Sequence, residues 1–502
     1  MTRKFWSLLL LIIILATVIR FYNIDKNSIW GDEACMIYLC RDSIPEIIEA
    51  LQSPDRPDVD VAPPVYFILL HFWIRIWGDS VFVLRSLSAI FGVLTVFVSA
   101  MLGKELFGNT TGLITAFIVT INPFQVWYSQ EIRMYTLACL MAVLVMWSFF
   151  KICSEKRIFW IVFWISSISL MYTQYYGFLL LAALGVFTLC NAKAVFLSRW
   201  KMWMLTFVLL AISFLPWLPT LVTDYRHAGA SGGFPNLFNP IKTPVFLFTK
   251  MTLFGNETYI YDHFLFYLLA IAVFAFLLCW STIKFWRLLA VKYLIFIAGF
   301  PFLTVYLASL AGLRIYKSHP FILFQIPILI LIGFGIVRSI GKSSASKQLV
   351  LLMVTGMNIY VLLSLNFSSE YVKPRINEMV EWIKSRYHEA DLVAVAPSFI
   401  PNPMENVGDL LVFRYYSRDE FRNLYLVGNN SEDLYNSIRN VVVPGKRIFL
   451  VYQINQQVLP EVKTLKTMLS ESYQLLSTKN FQSRIRGFSV GVSLYAVSDR
   501  NR

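Results

Sequence analysis

A chain of 502 residues that is 57% hydrophobic and 16% aromatic, with only 15% charged residues and a mean hydropathy of +0.60, cannot hide its apolar surface as a soluble globule. The apolar residues fall in separate runs, which specifies a polytopic α-helical membrane protein. A net charge of +14 fits Lys and Arg gathered in cytoplasmic loops, so no nucleic-acid partner is expected.

In chain order, Phe5 to Ile19 is almost wholly apolar behind Arg3 and Lys4, and it crosses a bilayer with help from its flanks. Arg20-Phe21-Tyr22 is no small-residue cleavage site, so this run is expected to be retained. Next comes Ile29-Trp30-Gly31-Asp32-Glu33-Ala34, with two adjacent carboxylates where the helix leaves the membrane. Taken alone, such acids are also what the start of a solvated loop carries. Ile44 to Leu51 reads as a short amphipathic helix on the membrane surface. Pro63-Pro64 opens Val65 to Trp77, whose His71 and Arg75 make it an interfacial helix rather than a span.

Apolar runs near 5–21, 80–102, 110–124, 134–150, 157–174, 176–192, 203–221, 262–283, 293–311, 320–338 and 348–366 give about eleven spans, the third and sixth short. With the N-terminus inside, the inner loops hold Lys104, Lys151, Lys156, Arg157, Lys193, Arg199 and Lys201, then Lys284, Arg287, Lys292, Arg338, Lys342 and Lys347. The outer segments are longer and mixed in sign, as the positive-inside rule requires. An odd count of spans places the tail outside a plasma membrane, surrounded by membrane lipids. The long outer segment 223–262 is rich in Gly, Pro and Asn, which suits a flexible loop over a site or a plain connector. The six cysteines (Cys35, Cys40, Cys139, Cys153, Cys190 and Cys279) show no metal-ligand spacing.

From about Asn366 the pattern changes. Ile376, Met379, Val380 and Ile383 share one helical face, and strand-like runs follow at Asp391–Ala396, Asn423–Val427, Arg447–Tyr452 and Ser489–Val497. Helical stretches such as Pro460 to Ser470 lie between them. A small extracytoplasmic α/β domain is therefore expected over 367–502, after a membrane domain over 1–366 whose first outer loop is 22–79. The tail has no glycine-rich phosphate loop, His cluster or nucleophile motif, so support or acceptor recognition is its expected role.

Four motifs stand in order. They are Trp30-Gly31-Asp32-Glu33-Ala34; Asp60-Val61-Ala62-Pro63-Pro64-Val65-Tyr66 with His71-Phe72-Trp73 and Gly78; Arg85; and Asn122-Pro123-Phe124 leading into Tyr128-Ser129-Gln130-Glu131-Ile132-Arg133-Met134-Tyr135. Together they resemble the GT-C glycosyltransferases of the protein-mannosyltransferase and aminoarabinose-transferase type, often called glycosyltransferase family 39-like. The tail, with Glu381-Trp382-Ile383 and Arg414-Tyr415-Tyr416, looks like the soluble end of many bacterial members. Family members often carry a His or Lys just before the Pro-Pro pair, near the donor phosphate, whereas this chain has Ala62.

The resemblance implies inverting transfer of a sugar from a polyprenyl-phosphate donor to a lipid, glycan or protein acceptor on the outer face. A single displacement needs a base for the acceptor hydroxyl and positive charge on the departing phosphate. It points to Asp32 as base, Glu33 as an orienting acid and Glu131 as a second acidic site residue. Asp60, Arg85, Tyr128, Gln130 and Tyr135 are implied substrate contacts. Arg133, Arg314 and Lys317, with His319, are the candidate phosphate ligands. Three basic groups in the outer turn Gly312 to Pro320 run against the positive-inside rule, and headgroup anchoring and phosphate binding both account for them. A Glu131–Arg133 or Arg85 pair that fixes helix ends is the structural alternative for that segment. Trp30, Trp127, Tyr128, Tyr175 and Tyr176 suit an aromatic belt, and Trp30 or Tyr128 also suits sugar stacking. No metal or other cofactor is expected to be required, since the leaving group carries one phosphate and no ligand constellation is present.

Three rivals remain. A transporter or flippase would place ionisable residues deep in the spans and repeat its halves. A polymerase or ligase using a diphosphate donor would want its large outer loop late in the chain. A non-catalytic relative is the third, which Ala62 keeps open.

Overall fold

The computed structural model describes residues 2–53, 62–153, 158–191, 199–230, 238–254, 260, 263–313, 315–338, 344–367, 375–388, 391–395, 411–418, 421, 423–425, 431–442, 445–454, 459–481 and 489–497. The chain forms two compact units, one of Met1–Ile24 with Val61–Leu363 and the other of Asp25–Asp60 with Ser364–Arg502.

The first unit is helical. Among the described residues, eight helices are long and apolar enough to cross a membrane: Arg3–Phe21, Val81–Phe107, Tyr135–Ile152, Trp200–Asp224, Phe264–Phe285, Leu289–Leu310, His319–Arg338 and Ala345–Leu365. Asn109–Ile121, Phe159–Met171 and Gly177–Cys190 account for the other three expected runs but are shorter. The expectation of about eleven spans thus resolves into eight long helices and three short ones. At a rise of about 1.5 Å per residue, the short helices reach roughly 20 Å against a hydrocarbon core of about 30 Å. Val65–Trp77, read as interfacial, is a fourth short apolar helix.

Helices Val81–Phe107 and Asn109–Ile121 fold back on each other at Gly108, whose φ of +92° a side chain would resist. Past the turn, a Cβ on Gly112 would stand 2.6 Å from the Ala100 carbonyl oxygen, so the two backbones approach as only small residues permit. His319–Arg338 is the most enclosed of the long helices, with 89% of its span buried against 22% for Arg3–Phe21. At Gln325, where its opening 3-10 segment passes into α-helix, lies a buried amide network. The Gln125 side-chain N–H donates to Gln325 Oε1 at 2.7 Å, and Gln325 Nε2 to Asn122 Oδ1 at 2.8 Å. Asn122 in turn donates to the Thr252 carbonyl at 2.8 Å. Buried amides demand partners, so this network fixes three segments in register. Among the described residues of the 223–262 segment, helix Lys242–Leu253 supplies the Thr252 carbonyl.

The second unit contains a mixed sheet in the order β2-β1-β3-β5-β4, with β1 Leu392–Val395, β2 Asn423–Tyr425, β3 Arg447–Ile454, β4 Gln474–Phe481 and β5 Ser489–Ala496. Strand β1 runs parallel to β2 and β3, while β5 is antiparallel to β3 and β4. Leu392, Ala394, Ile448 and Leu450 pack with Leu434 and Ile438 of helix Ser431–Val441 and with Leu465 and Leu469 of helix Leu459–Ser472. Strand β4 was not expected. It is an edge strand, exposed along nearly its whole length, so burial imposes no apolar alternation on its sequence.

Within the second unit, residues 25–53 pack with the tail. Ser28 Oγ lies 2.5 Å from Asn377 Oδ1, and the Ile29 N–H donates to the Tyr416 hydroxyl at 2.9 Å. Helices Gly31–Arg41 and Ile44–Gln52 follow.

Candidate active site

In the second unit, Trp30 precedes the helix Gly31–Arg41, which puts Asp32 and Glu33 in its first turn. Carboxylates are favoured there because the first N–H groups of a helix lack intrahelical partners and the dipole is positive at that end. Glu33 is completely buried, and its carboxylate accepts a hydrogen bond from the Trp30 backbone N–H at 3.3 Å. That is the reciprocal half of a capping box. Asp32 is half-buried one position earlier. Further along, burial first and the Asp42 charge second push the Cys40 thiol well above its ordinary range.

In the first unit, the segment between Pro123–Ser129 and Tyr135–Cys153 is tightly built. Glu131 and Arg133 are both 4% exposed, and the Arg133 N–H closes a turn onto the Glu131 carbonyl at 2.9 Å. The Arg133 guanidinium donates to the Tyr135 hydroxyl at 3.2 Å. Tyr135 packs its ring against Tyr128 at 5.0 Å and against His319 at 5.1 Å. Beside His319, Ser318 Oγ accepts a hydrogen bond from Lys250 Nζ at 2.9 Å. Arg133, His319 and Lys250 are thereby linked through Tyr135 and Ser318, and Lys317 lies in the same turn. Lys250 was not singled out in the sequence; its only signal is a cation in a segment read as a loop.

Two further candidates hold the exit of the first helix. Arg85, buried on Val81–Phe107, donates through Nη1 to the Ile24 carbonyl at 2.9 Å. Gln130 donates to the carbonyls of Arg20 at 3.2 Å and Tyr22 at 3.0 Å. Arg20 is itself fully buried and donates to the carbonyls of Thr120 at 3.2 Å and Val119 at 3.1 Å. At the end of an apolar run Arg20 reads as a flank, and nothing local marks it as a bridge. The Pro-Pro motif is tied to the same region: the Tyr66 hydroxyl pairs with Ser88 Oγ at 2.8 Å, and Ser88 donates to the Arg133 carbonyl at 3.3 Å. Asp60 and Arg314 lie outside the described residues. Among the described residues, no group of three or more His, Cys, Asp or Glu is arranged to hold a metal ion.

A family model described as dolichyl-phosphate-mannose-protein mannosyltransferase matches residues 61–218. No curated protein sequence matches the chain significantly. Among solved structures, apo ArnT from Cupriavidus metallidurans aligns with a TM-score of 0.58 at 15% identity, over 98% of each chain. The same protein bound to undecaprenyl phosphate gives 0.55 at 16% identity, over 96% of this chain and 97% of that one. The apo oligosaccharyltransferase of Archaeoglobus fulgidus gives 0.51 at 13% identity, over 89% of this chain and 69% of that one. The chain is a polytopic membrane protein with the GT-C glycosyltransferase fold. The mannosyltransferase family model is confined to the segment running from the Pro-Pro motif through Asn122–Tyr135 to Trp217-Leu218.

Proposed function

We propose that the protein is an inverting glycosyltransferase that moves a sugar from a polyprenyl-phosphate donor to an acceptor on the extracytoplasmic face. The observation that carries this reading is the likeness to ArnT along nearly the whole of both chains, one of those structures holding undecaprenyl phosphate. In this reading the acceptor hydroxyl oxygen bonds to the anomeric carbon as the bond from that carbon to the phosphate oxygen breaks. The bonding pair leaves with the phosphate, and the hydroxyl proton passes to Asp32. Arg133, Lys317 and His319 carry the positive charge that stabilises the leaving phosphate. Lys250 joins them because it hydrogen-bonds the turn that bears Lys317 and His319. These cations offset the loss of one at Ala62. The N-terminus is cytoplasmic and the tail external in a plasma membrane, following the basic inner loops.

The test is donor consumption. Purified wild type and Asp32→Asn are incubated with a panel of polyprenyl-phosphate sugars and a crude envelope extract, and each donor is followed by mass spectrometry. Consumption of one donor by wild type alone is the expected result. Full consumption by Asp32→Asn overturns the base assignment, and no consumption of any donor by wild type counts against transfer itself.

A further inference from the structure

The turn that carries Lys317 and His319 is clamped by side chains from distant segments. The Tyr176 hydroxyl donates to the Ile315 carbonyl and accepts the Lys317 N–H at 3.2 Å, so one oxygen closes the backbone on both sides of Tyr316. Its ring packs edge-on against Phe321 at 5.7 Å, just past the turn. Tyr176 belongs to a short connection, 172–176, whose other groups are equally committed. The Tyr172 carbonyl accepts the Val65 N–H at 2.9 Å, directly behind Pro63-Pro64. The Tyr175 hydroxyl donates to Asp224 at 2.7 Å and accepts from the Trp217 indole at 3.1 Å. An aromatic belt does not require this convergence, because belt tyrosines direct their hydroxyls to water and headgroups.

We infer that Tyr176 is a positioning residue for phosphate recognition, holding the 315–317 backbone so that Lys317 is presented in one geometry. This rests on the proposed reading that the turn binds the donor phosphate. A flexible lysine gains affinity when the chain carrying it is pre-ordered, because less conformational entropy is lost on binding. Phe at position 176 keeps the ring against Phe321 and removes only the hydroxyl that fixes the turn.

The experiment measures equilibrium binding of undecaprenyl phosphate to the full chain in detergent, for wild type, Tyr176→Phe, Lys317→Ala and the double variant. Lys317→Ala is expected to weaken binding about tenfold or more, and Tyr176→Phe roughly three- to tenfold with little change in Tm. The double variant should bind like Lys317→Ala alone, because Tyr176 acts through Lys317. If Lys317→Ala binds normally, the phosphate reading fails. If Lys317→Ala is weak but Tyr176→Phe is normal, or the two losses multiply, the positioning role fails and the phosphate reading stands. A second readout needs no variant: hydrogen exchange of the wild type should show the Lys317 amide protected, and exchange at an unstructured rate overturns the clamp.

Discussion

The Tyr416 hydroxyl accepts a hydrogen bond from the Ile29 backbone N–H at 2.9 Å, and Ile29 is completely buried. The tail thereby holds Ile29, the residue before the Trp30 cap of the acidic helix turn, and Asn377 supports Ser28 beside it. Tyr416→Phe leaves a buried N–H unsatisfied, which costs about 1–3 kcal/mol locally. Hydrogen exchange across Ser28–Cys35 should speed up accordingly. Unchanged exchange there would show that other contacts hold the turn.

The two adjacent acids should separate under mutation. Glu33 accepts the Trp30 N–H, so Glu33→Ala should lower stability by about 1 kcal/mol, and Glu33→Gln, which keeps an acceptor, by less. Asp32→Asn should leave Tm nearly unchanged while reducing transfer by about a hundredfold or more. Thermal melts beside transfer assays check the pair. A large Tm loss in Asp32→Asn with transfer intact would reverse the assignment.

Gly92 lies where the Arg20 bridge crosses the helix Val81–Phe107. A Cβ there would come within 2.2 Å of Ser129 Oγ and 2.9 Å of Arg20 Nε. Overpacking of this kind costs about 1–3 kcal/mol. Gly92→Ala should lower Tm by several degrees, and a wild-type melt would show that the Arg20 contacts yield easily.

In the sheet unit, Asp391 is almost fully buried and accepts hydrogen bonds from Arg447 Nη2 at 2.6 Å and from the Arg447 backbone N–H at 3.1 Å. Asp391→Ala removes the acceptor of the Arg447 backbone N–H and of its guanidinium at the start of β3 and should destabilise this unit by about 1–3 kcal/mol. Limited proteolysis within the tail is the measurement. Resistance equal to wild type contradicts it.

A pH effect is expected at the helix Ile44–Gln52. The Ser43 hydroxyl at 2.7 Å and its backbone N–H at 2.8 Å both donate to Glu46, which holds its carboxyl below the usual carboxylate range. A depressed folded value means that this cap is fully present above the ordinary carboxylate pKa and is lost as pH falls through the lower folded one. Ser43→Ala should raise the Glu46 titration midpoint, read by NMR of a labelled carboxyl. An unmoved midpoint would remove Ser43 as the cause.

Hydropathy along the chain determined the membrane class, the position of every long helix and the amphipathic face of Ile376–Lys384. Each of these depends on the solvent a segment meets, and local composition reports that directly. Motif order was enough to suggest the GT-C fold. The tertiary structure alone decided the partners. Glu33 rather than Asp32 accepts the Trp30 N–H, although the two acids look alike in sequence. Arg20 spans to Val119 and Thr120, and Lys250 reaches Ser318, across separations no periodicity records. Strand β4 stayed hidden because an exposed edge leaves no burial pattern. The split at Ile24/Asp25 likewise comes from Tyr416 and Asn377 gripping Ser28 and Ile29, hundreds of residues away in the chain. Hydrogen bonds between distant segments form only where packing excludes water and brings donor to acceptor, and that geometry exists only in the folded chain.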